Sequence, residues 1–396
     1  MAPRTRVIWD DAFTAYNFGR EHPMAPVRLD LTTRLARGLG ILEHVEVVGT
    51  EPASDEELTR VHDPDYVLAV RAASLDPSVA DERRGIGTED DPAFEGMHEA
   101  AARIVGGTLA LVRALHVGEI DHGVNYCGGM HHAMATHAAG FCIYNDAAVG
   151  IQWLLDQGVE RVAYVDIDVH HGDGVERIFW NDPRVLTVSI HETGRALFPG
   201  TGWPGDVGGA RALGSAVNVA LPPTTNDSHW LRAIDAIVPP VVHAFKPEVL
   251  ITQHGCDTHF EDPLAHFTVS LDAQRRAHES LHHLAHEVAG GKWVALGGGG
   301  YEVIEVVPRS WTHLTAIAGH RPIPADAAVP QEWRDHVESL FGRPGPSRMG
   351  DLPLGSLPIW VRPWAMGHNP DDPTDRAIMA TREAVFPHHG LDPWFD

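Results

Sequence analysis

Asp166-Ile-Asp-Val-His-His-Gly-Asp-Gly174, entered through the apolar run Val162-Ala-Tyr-Val165, is the stretch from which the fold can be read. An apolar run that breaks into carboxylates, imidazoles and glycines marks a buried strand opening into a functional loop of an α/β sheet. Side chains alternate along a strand, which predicts that Asp166, Asp168 and His170 share a face. Two carboxylates and an imidazole buried together without compensation are costly. A divalent metal offsets that cost, since carboxylate oxygen and neutral imidazole are both good zinc ligands. The plainer reading of the same residues is a solvated strand end with ordinary acidic caps.

Outward from this stretch, β-branched runs alternate with helical patterns. Strands are predicted over 161–168, 185–191, 216–221, 248–254 and 292–296, and helices over 98–116, 145–157, 228–245, 272–289 and 302–318. Such alternation implies an α/β fold with a mainly parallel central sheet, helices on both faces and a site at the strand C-terminal ends. The first hundred residues read as mixed helix and loop. We expect a main domain over residues 1–320. Residues 321–396 form a Pro-rich, acidic extension containing Trp333, Trp360, Trp364 and Trp394, expected to pack on the body or serve in oligomerisation.

The 396 residues suffice for a large core, and the formal charge of −24 argues against direct nucleic-acid binding. It favours cationic partners such as lysine-rich peptides or amines. Three cysteines, Cys127, Cys142 and Cys256, make no disulfide framework and no Cys-x-x-Cys metal site. The opening Met1-Ala-Pro-Arg-Thr-Arg-Val lacks the apolar core of a signal peptide, and no run is long enough to span a bilayer. These points predict a cytoplasmic protein with no membrane association. Among the 27 histidines, His282, His283 and His286 fall on the predicted helix 272–289 and are expected on its polar surface, with adventitious metal binding as the alternative.

Four separated segments carry the chemistry: Gly128-Gly-Met-His-His-Ala133, the opening stretch, Gln253-His-Gly-Cys-Asp257, and Gly297-Gly-Gly-Gly-Tyr301. The glycine run lacks the Lys-Ser/Thr ending of a P-loop and the spacing of a dinucleotide fingerprint. In this order the motifs resemble the histone deacetylase superfamily with its arginase/deacetylase fold. The resemblance runs from Glu21-His-Pro-Met-Ala-Pro-Val-Arg28 to Tyr301 and takes in Gly140-Phe-Cys-Ile-Tyr-Asn-Asp146 and Phe198-Pro-Gly-Thr-Gly202. Its nearest branch is the bacterial acetoin-utilisation type.

That resemblance implies a metal-dependent amidohydrolase that releases acetate and free lysine from acetyl-lysine in proteins or peptides. Asp168, His170 and Asp257 would hold Zn²⁺ (Fe²⁺ being the other ion such donors accept) and leave one position open. His131 and His132, supported by Asp166 and Asp173, would move protons, with His132 as the base. Tyr301 would donate to the developing oxyanion. Phe141 and Phe198 would line the substrate channel, Gly140 would permit close approach of the substrate stem, Asp90 (or, one residue on, Asp91) would grip substrate backbone, and Leu264 would sit at the rim. Arg28 would lie near an inner cavity. A structural K⁺ would be held by Asp166, Asp168, His170, Ser189 and Ile190, and a second by Phe179, Asp182, Val185 and Ser215.

Departures matter too. Leu264 replaces the acidic gate of polyamine-specific members. Pro263 stands where corepressor-bound enzymes carry arginine, and no basic tail follows, which argues against inositol-phosphate-assisted docking. Alternative readings are a deacetylase of small acetylated amines such as acetylpolyamines, a non-catalytic acetyl-lysine reader, and an arginase-like dimetal hydrolase, which would need further carboxylates in the 253–257 and 166–174 loops; the first supplies only Asp257 at the expected place, and Asp262 lies too far along.

Overall fold

The computed structural model describes residues 4–396, so Met1–Pro3 of the leader reading lie outside the described residues. Eight strands among them form one sheet: β1 (Thr5–Ile8), β2 (Glu46–Val48), β3 (His122–Asn125), β4 (Val162–Asp166), β5 (Val185–Glu192), β6 (Ala216–Leu221), β7 (Val249–Gln253) and β8 (Trp293–Leu296). Their order is β2-β1-β3-β8-β7-β4-β5-β6, and each adjacent pair is parallel. The strands β3, β4, β7 and β8 are buried along their whole length, as helices covering both faces require. The four motifs follow these four strands, which are neighbours in the sheet. Parallel pairing brings their C-terminal ends to one edge, so sequence segments far apart open onto one place.

The long helices fall close to expectation: Met97–His116, Asp146–Asp156, Asp227–Phe245 and Leu271–Ala289. Side chains of Asn145, Asn226 and Ser270 cap three of them by accepting a backbone N–H. The helix expected over 302–318 begins only at Val307, because residues 302–306 turn back after the glycine loop.

Two corrections apply to the strands. The first hundred residues contain β1 and β2, and β3 follows them; all three are three or four residues long. The strand expected to reach Asp168 ends at Asp166. Beyond it the chain advances through two successive carboxylate-to-backbone turns: the Asp168 N–H donates to Asp166 Oδ1 at 3.1 Å and the His170 N–H to Asp168 Oδ1 at 2.9 Å. Local turn chemistry, not strand alternation, directs these side chains.

Residues beyond 320 pack on the body along several segments, among them Asp351, which is bonded to His259, Leu271 and Arg309. Trp333, Val337 and Met349 pack with Leu31 and Leu35 of the helix Val27–Gly38, and the Trp333 indole donates to the Leu31 carbonyl at 2.9 Å. The helix Pro373–Val385 contributes Ile378 and Val385 to the main core. There Asp375 takes a hydrogen bond from Arg232 Nη2 at 3.0 Å, both side chains being buried.

Candidate active site

At the C-terminal edge of β3, β8, β7 and β4 the Asp168, His170 and Asp257 side chains meet. His170 Nδ1 lies 3.1 Å from Asp168 Oδ1 and 3.1 Å from Asp257 Oδ2. All three residues are buried, and their ligand atoms lie within 4.8 Å of one another. One imidazole nitrogen carries at most one proton, yet it faces two carboxylates at equal distance. Burial works against a charged His170, but its bonds to Asp168 and Asp257 outweigh this and push its pKa up to about 10. This point therefore draws positive charge strongly, and a divalent cation suits it better than a proton: two anionic oxygens and one nitrogen are a zinc-type donor set.

The remaining carboxylate oxygens are satisfied by backbone and amide groups, which fixes their orientation. Asp257 Oδ1 accepts from the Val169 N–H at 2.9 Å; Asp168 Oδ2 accepts from the Gly299 N–H at 2.9 Å and from Gln253 Nε2 at 2.8 Å. The glycines of these loops are required by contact. A Cβ on Gly255 would stand 1.9 Å from Asp168 Oδ2, and one on Gly299 would stand 2.0 Å from Asp257 Oδ2.

Beside this group lie His131 and His132, with ring centres 4.0 Å apart. His131 Nδ1 is 2.8 Å from Asp166 Oδ2, which also accepts from the Tyr164 hydroxyl at 2.8 Å. His132 Nδ1 is 2.7 Å from Asp173 Oδ1. Each carboxylate thus orients one ring and turns its Nε2 inward. The environments diverge. Burial depresses His131, but the Asp166 and Asp168 charges prevail and hold it up at about 9. Burial, and then the His131 charge, bring His132 down to about 4. The loop bearing the pair is pinned by Asp146, whose Oδ1 accepts from the Gly129 N–H at 3.0 Å and the Met130 N–H at 2.8 Å. His62 braces its far side, paired to the Met134 carbonyl at 3.1 Å and accepting from the Asn145 N–H at 3.0 Å.

Tyr301 packs edge-on against Phe141 with ring centres 5.7 Å apart. Burial, then the Asp257 and Asp168 charges, hold its phenol protonated, well above the ordinary range. Its backbone N–H donates to Asp262 Oδ2 at 2.8 Å, and Asp262 Oδ1 accepts from the Leu264 N–H at 3.0 Å. Asp262 is therefore a clasp between two loops.

Phe198 stands half exposed over His132, with ring centres 5.0 Å apart. Gly140, at φ +54°, leaves no room for a side chain: its Cβ would come 2.5 Å from His132 Cδ2 and 2.9 Å from Phe198 Cε1. The expected close approach at Gly140 is thus made by the His132 and Phe198 rings. Asp90 is exposed, with its carbonyl 3.1 Å from His22 Nε2, whereas Asp91 is buried, so of the two only the Asp90 side chain is open to solvent. Leu264 is also partly exposed. Arg28 is buried and donates to the carbonyls of Gly300 at 2.9 Å and Gly298 at 3.3 Å, bracing the glycine loop from below. Ser189 faces Asp166 across the β4–β5 ladder, with Ile190 next along β5. Phe179, Asp182 and Val185 are linked by turns leading into β5, and the Ser215 carbonyl accepts from the Thr187 N–H at 2.8 Å.

The sequence reading missed Gln253, Tyr164 and Asp146 as supports and left Asp262 unassigned. The available signal was position: Gln253 and Asp166 end adjacent strands in register.

Residues 22–318 match the histone deacetylase domain, three quarters of the chain, and the chain belongs to that family. It is 41% identical over 328 residues to the acetoin utilization protein AcuC of Bacillus subtilis, covering 82% of this chain and 84% of that one. It is 37% identical to the AcuC of Staphylococcus xylosus, covering 84% and 87%. A solved histone deacetylase homolog from Aquifex aeolicus superposes with a TM-score of 0.81 at 26% identity, covering 96% of this chain and all of that one. Another solved homolog, complexed with SAHA, gives the same TM-score at 27% identity. The protein is therefore a deacetylase-family hydrolase of the AcuC-like branch. Among the described residues, no helix is long and apolar enough to cross a membrane.

Proposed function

We propose that the protein is a zinc-dependent lysine deacetylase acting on acetylated proteins or peptides. The observation that carries this reading is the convergence of Asp168, His170 and Asp257 beside two carboxylate-oriented imidazoles and a protonated phenol. Asp168, His170 and Asp257 would hold the ion, which would supply Lewis-acid polarisation of the amide carbonyl and of a water.

The chain's own groups do the rest. His132, neutral and with Nδ1 committed to Asp173, presents a basic Nε2 to the attacking water. His131, held protonated between Asp166 and Asp168, delivers a proton to the departing amine. Tyr301 keeps its proton and donates a hydrogen bond to the oxygen on which charge develops. Phe141 and Phe198 flank the lysine methylenes, Leu264 and Asp90 form the rim, and Asp90 accepts from substrate backbone. The products are acetate and the free amine. Potassium held at Asp166, Asp168, His170, Ser189 and Ile190 would stiffen the loop, with a second ion at Phe179, Asp182, Val185 and Ser215.

The deciding assay follows hydrolysis of an acetyl-lysine peptide by metal-stripped protein reconstituted with Zn²⁺ or Fe²⁺. Turnover should vanish on stripping and return with the preferred ion; turnover that persists without metal overturns the reading. A small acetylated amine is the second substrate class, favoured by the −24 charge. Comparing kcat/KM for acetyl-lysine peptides with that for acetylpolyamines separates the two.

A further inference from the structure

On the opposite edge of the sheet, four more histidines meet. His122 opens β3, His282 and His286 lie one turn apart on the helix Leu271–Ala289, and His320 follows the helix Val307–Ala318. The surface expectation fails for His282, which is buried, and holds for His283 and His286, which are exposed; His286 sits one turn on, with its ring centre 4.7 Å from that of His282.

The nitrogen positions are those of a metal shell. One ligand atom from each of the four residues lies within 4.8 Å of every other. The Nε2 atoms of His282 and His286 are 3.2 Å apart, close to the roughly 3.3 Å separating two nitrogens bound tetrahedrally to one zinc at about 2.0–2.1 Å. His122 is the most telling member. It is fully buried, and its Nδ1 is 2.8 Å from the Ala318 carbonyl, to which it donates. Its Nε2 therefore carries a bare lone pair, and no hydrogen-bond partner meets it. A carbonyl-anchored imidazole with a free inward nitrogen is the usual arrangement of a metal-bound histidine. A histidine pair bridged by a hydrogen bond would account for His282 and His286 but leaves His122 unsatisfied.

The shape of the cluster selects among ions. The six ring-centre separations run from 4.7 to 5.5 Å: 4.9, 5.0 and 4.7 Å from His122 to His282, His286 and His320, then 4.7, 4.7 and 5.5 Å among the rest. Near-equal separations describe a tetrahedron; a square would make two of them about 1.4 times the others, as tetragonal Cu²⁺ or Ni²⁺ prefers. Neutral nitrogens without a carboxylate exclude Mg²⁺ and Ca²⁺. Gly291, at φ +86°, makes the room: a Cβ there would stand 2.9 Å from His286 Nδ1.

We propose that His122, His282, His286 and His320 form a second, structural zinc site with a tetrahedral all-imidazole shell. It ties the start of β3 to two helices at the sheet edge remote from the catalytic loops. Its readout is metal content and does not depend on the deacetylase reading.

The test uses untagged full-length chain, dialysed against zinc and then passed through metal-free buffer. Asp257→Ala protein should retain one zinc equivalent by mass spectrometry of the metal. Wild type should hold two, and the His286→Ala/His320→Ala double variant one, with peptide hydrolysis unchanged. Cobalt loaded into Asp257→Ala protein should give the intense visible absorption of a tetrahedral ion, absent when the His286→Ala/His320→Ala pair is added. Gly291→Ala, which displaces His286 without removing a ligand, should weaken zinc retention at this site alone. Zinc that washes out of Asp257→Ala protein in metal-free buffer, or cobalt absorption indifferent to the loss of His286 and His320, overturns the proposal.

Discussion

The two ends of the sheet hold histidine clusters built from the same side chain and tuned in opposite directions. At the C-terminal edge, His131 and His170 face carboxylates and are pushed up to about 9 and about 10, against the effect of burial. At the N-terminal edge, His122 faces a carbonyl and other imidazoles, and burial takes it down to about 4. His132 shows that the rule is local. It has its own carboxylate, Asp173, yet burial and the charge on His131 next door bring it low. An anionic partner makes an imidazole a proton carrier, and its absence leaves a neutral nitrogen donor.

The largest test of this contrast is His132→Ala, which should cut kcat/KM for an acetyl-lysine peptide by about 10²–10⁴. His320→Ala at the other edge should leave it untouched, and equal losses at both would break the comparison. Next comes Tyr301→Phe, expected to lower kcat by about 10²–10³ with little change in KM, as loss of an oxyanion donor requires. Gln253→Ala removes the amide that orients Asp168, and should weaken metal retention at the catalytic edge by about 10–100-fold while sparing the four-histidine edge.

The smallest effect is on stability, through His62. Burial lowers its folded pKa to about 4, below the ordinary 6.5 of the unfolded chain. A depressed histidine gives its full contribution above the unfolded value and loses it as pH falls toward the folded one. Urea unfolding at pH 7 and pH 5 should show about 2 kcal/mol lost through this residue. His62→Gln should flatten that acid limb by the same amount. An acid limb as steep without His62 would show that the contrast between imidazoles with and without a carboxylate partner does not govern stability.

Much of the fold was legible because β4, β7 and β8 are largely apolar buried runs and β5 and β6 are β-branched-rich runs of six to eight residues. The sequences of β1, β2 and β3 are too short and mixed to be distinguished from loop: Glu46-Val-Val48 lies at the sheet edge, and His122-Gly-Val-Asn125 carries two polar residues. Asp168, His170 and Asp257 were legible as a candidate trio through their motifs, although the geometry that joins them comes from turns beyond the strand end. Gln253 was not, since no pattern of residues tells which way a buried amide points. The four-histidine cluster was half visible in the spacing of His282 and His286. His122 and His320 reach it from elements some 160 and 34 residues away, a proximity that only the parallel sheet order supplies.

Gly255 and Gly299 bring main-chain atoms against the carboxylates of Asp168 and Asp257. A surface made of backbone has no side chain to exchange, so mutation cannot remould it by degrees. Under the proposed function, adaptation to a longer acyl group or a different amine would begin at Leu264, Phe198 and Asp90, whose side chains are exposed, while the floor is inherited whole.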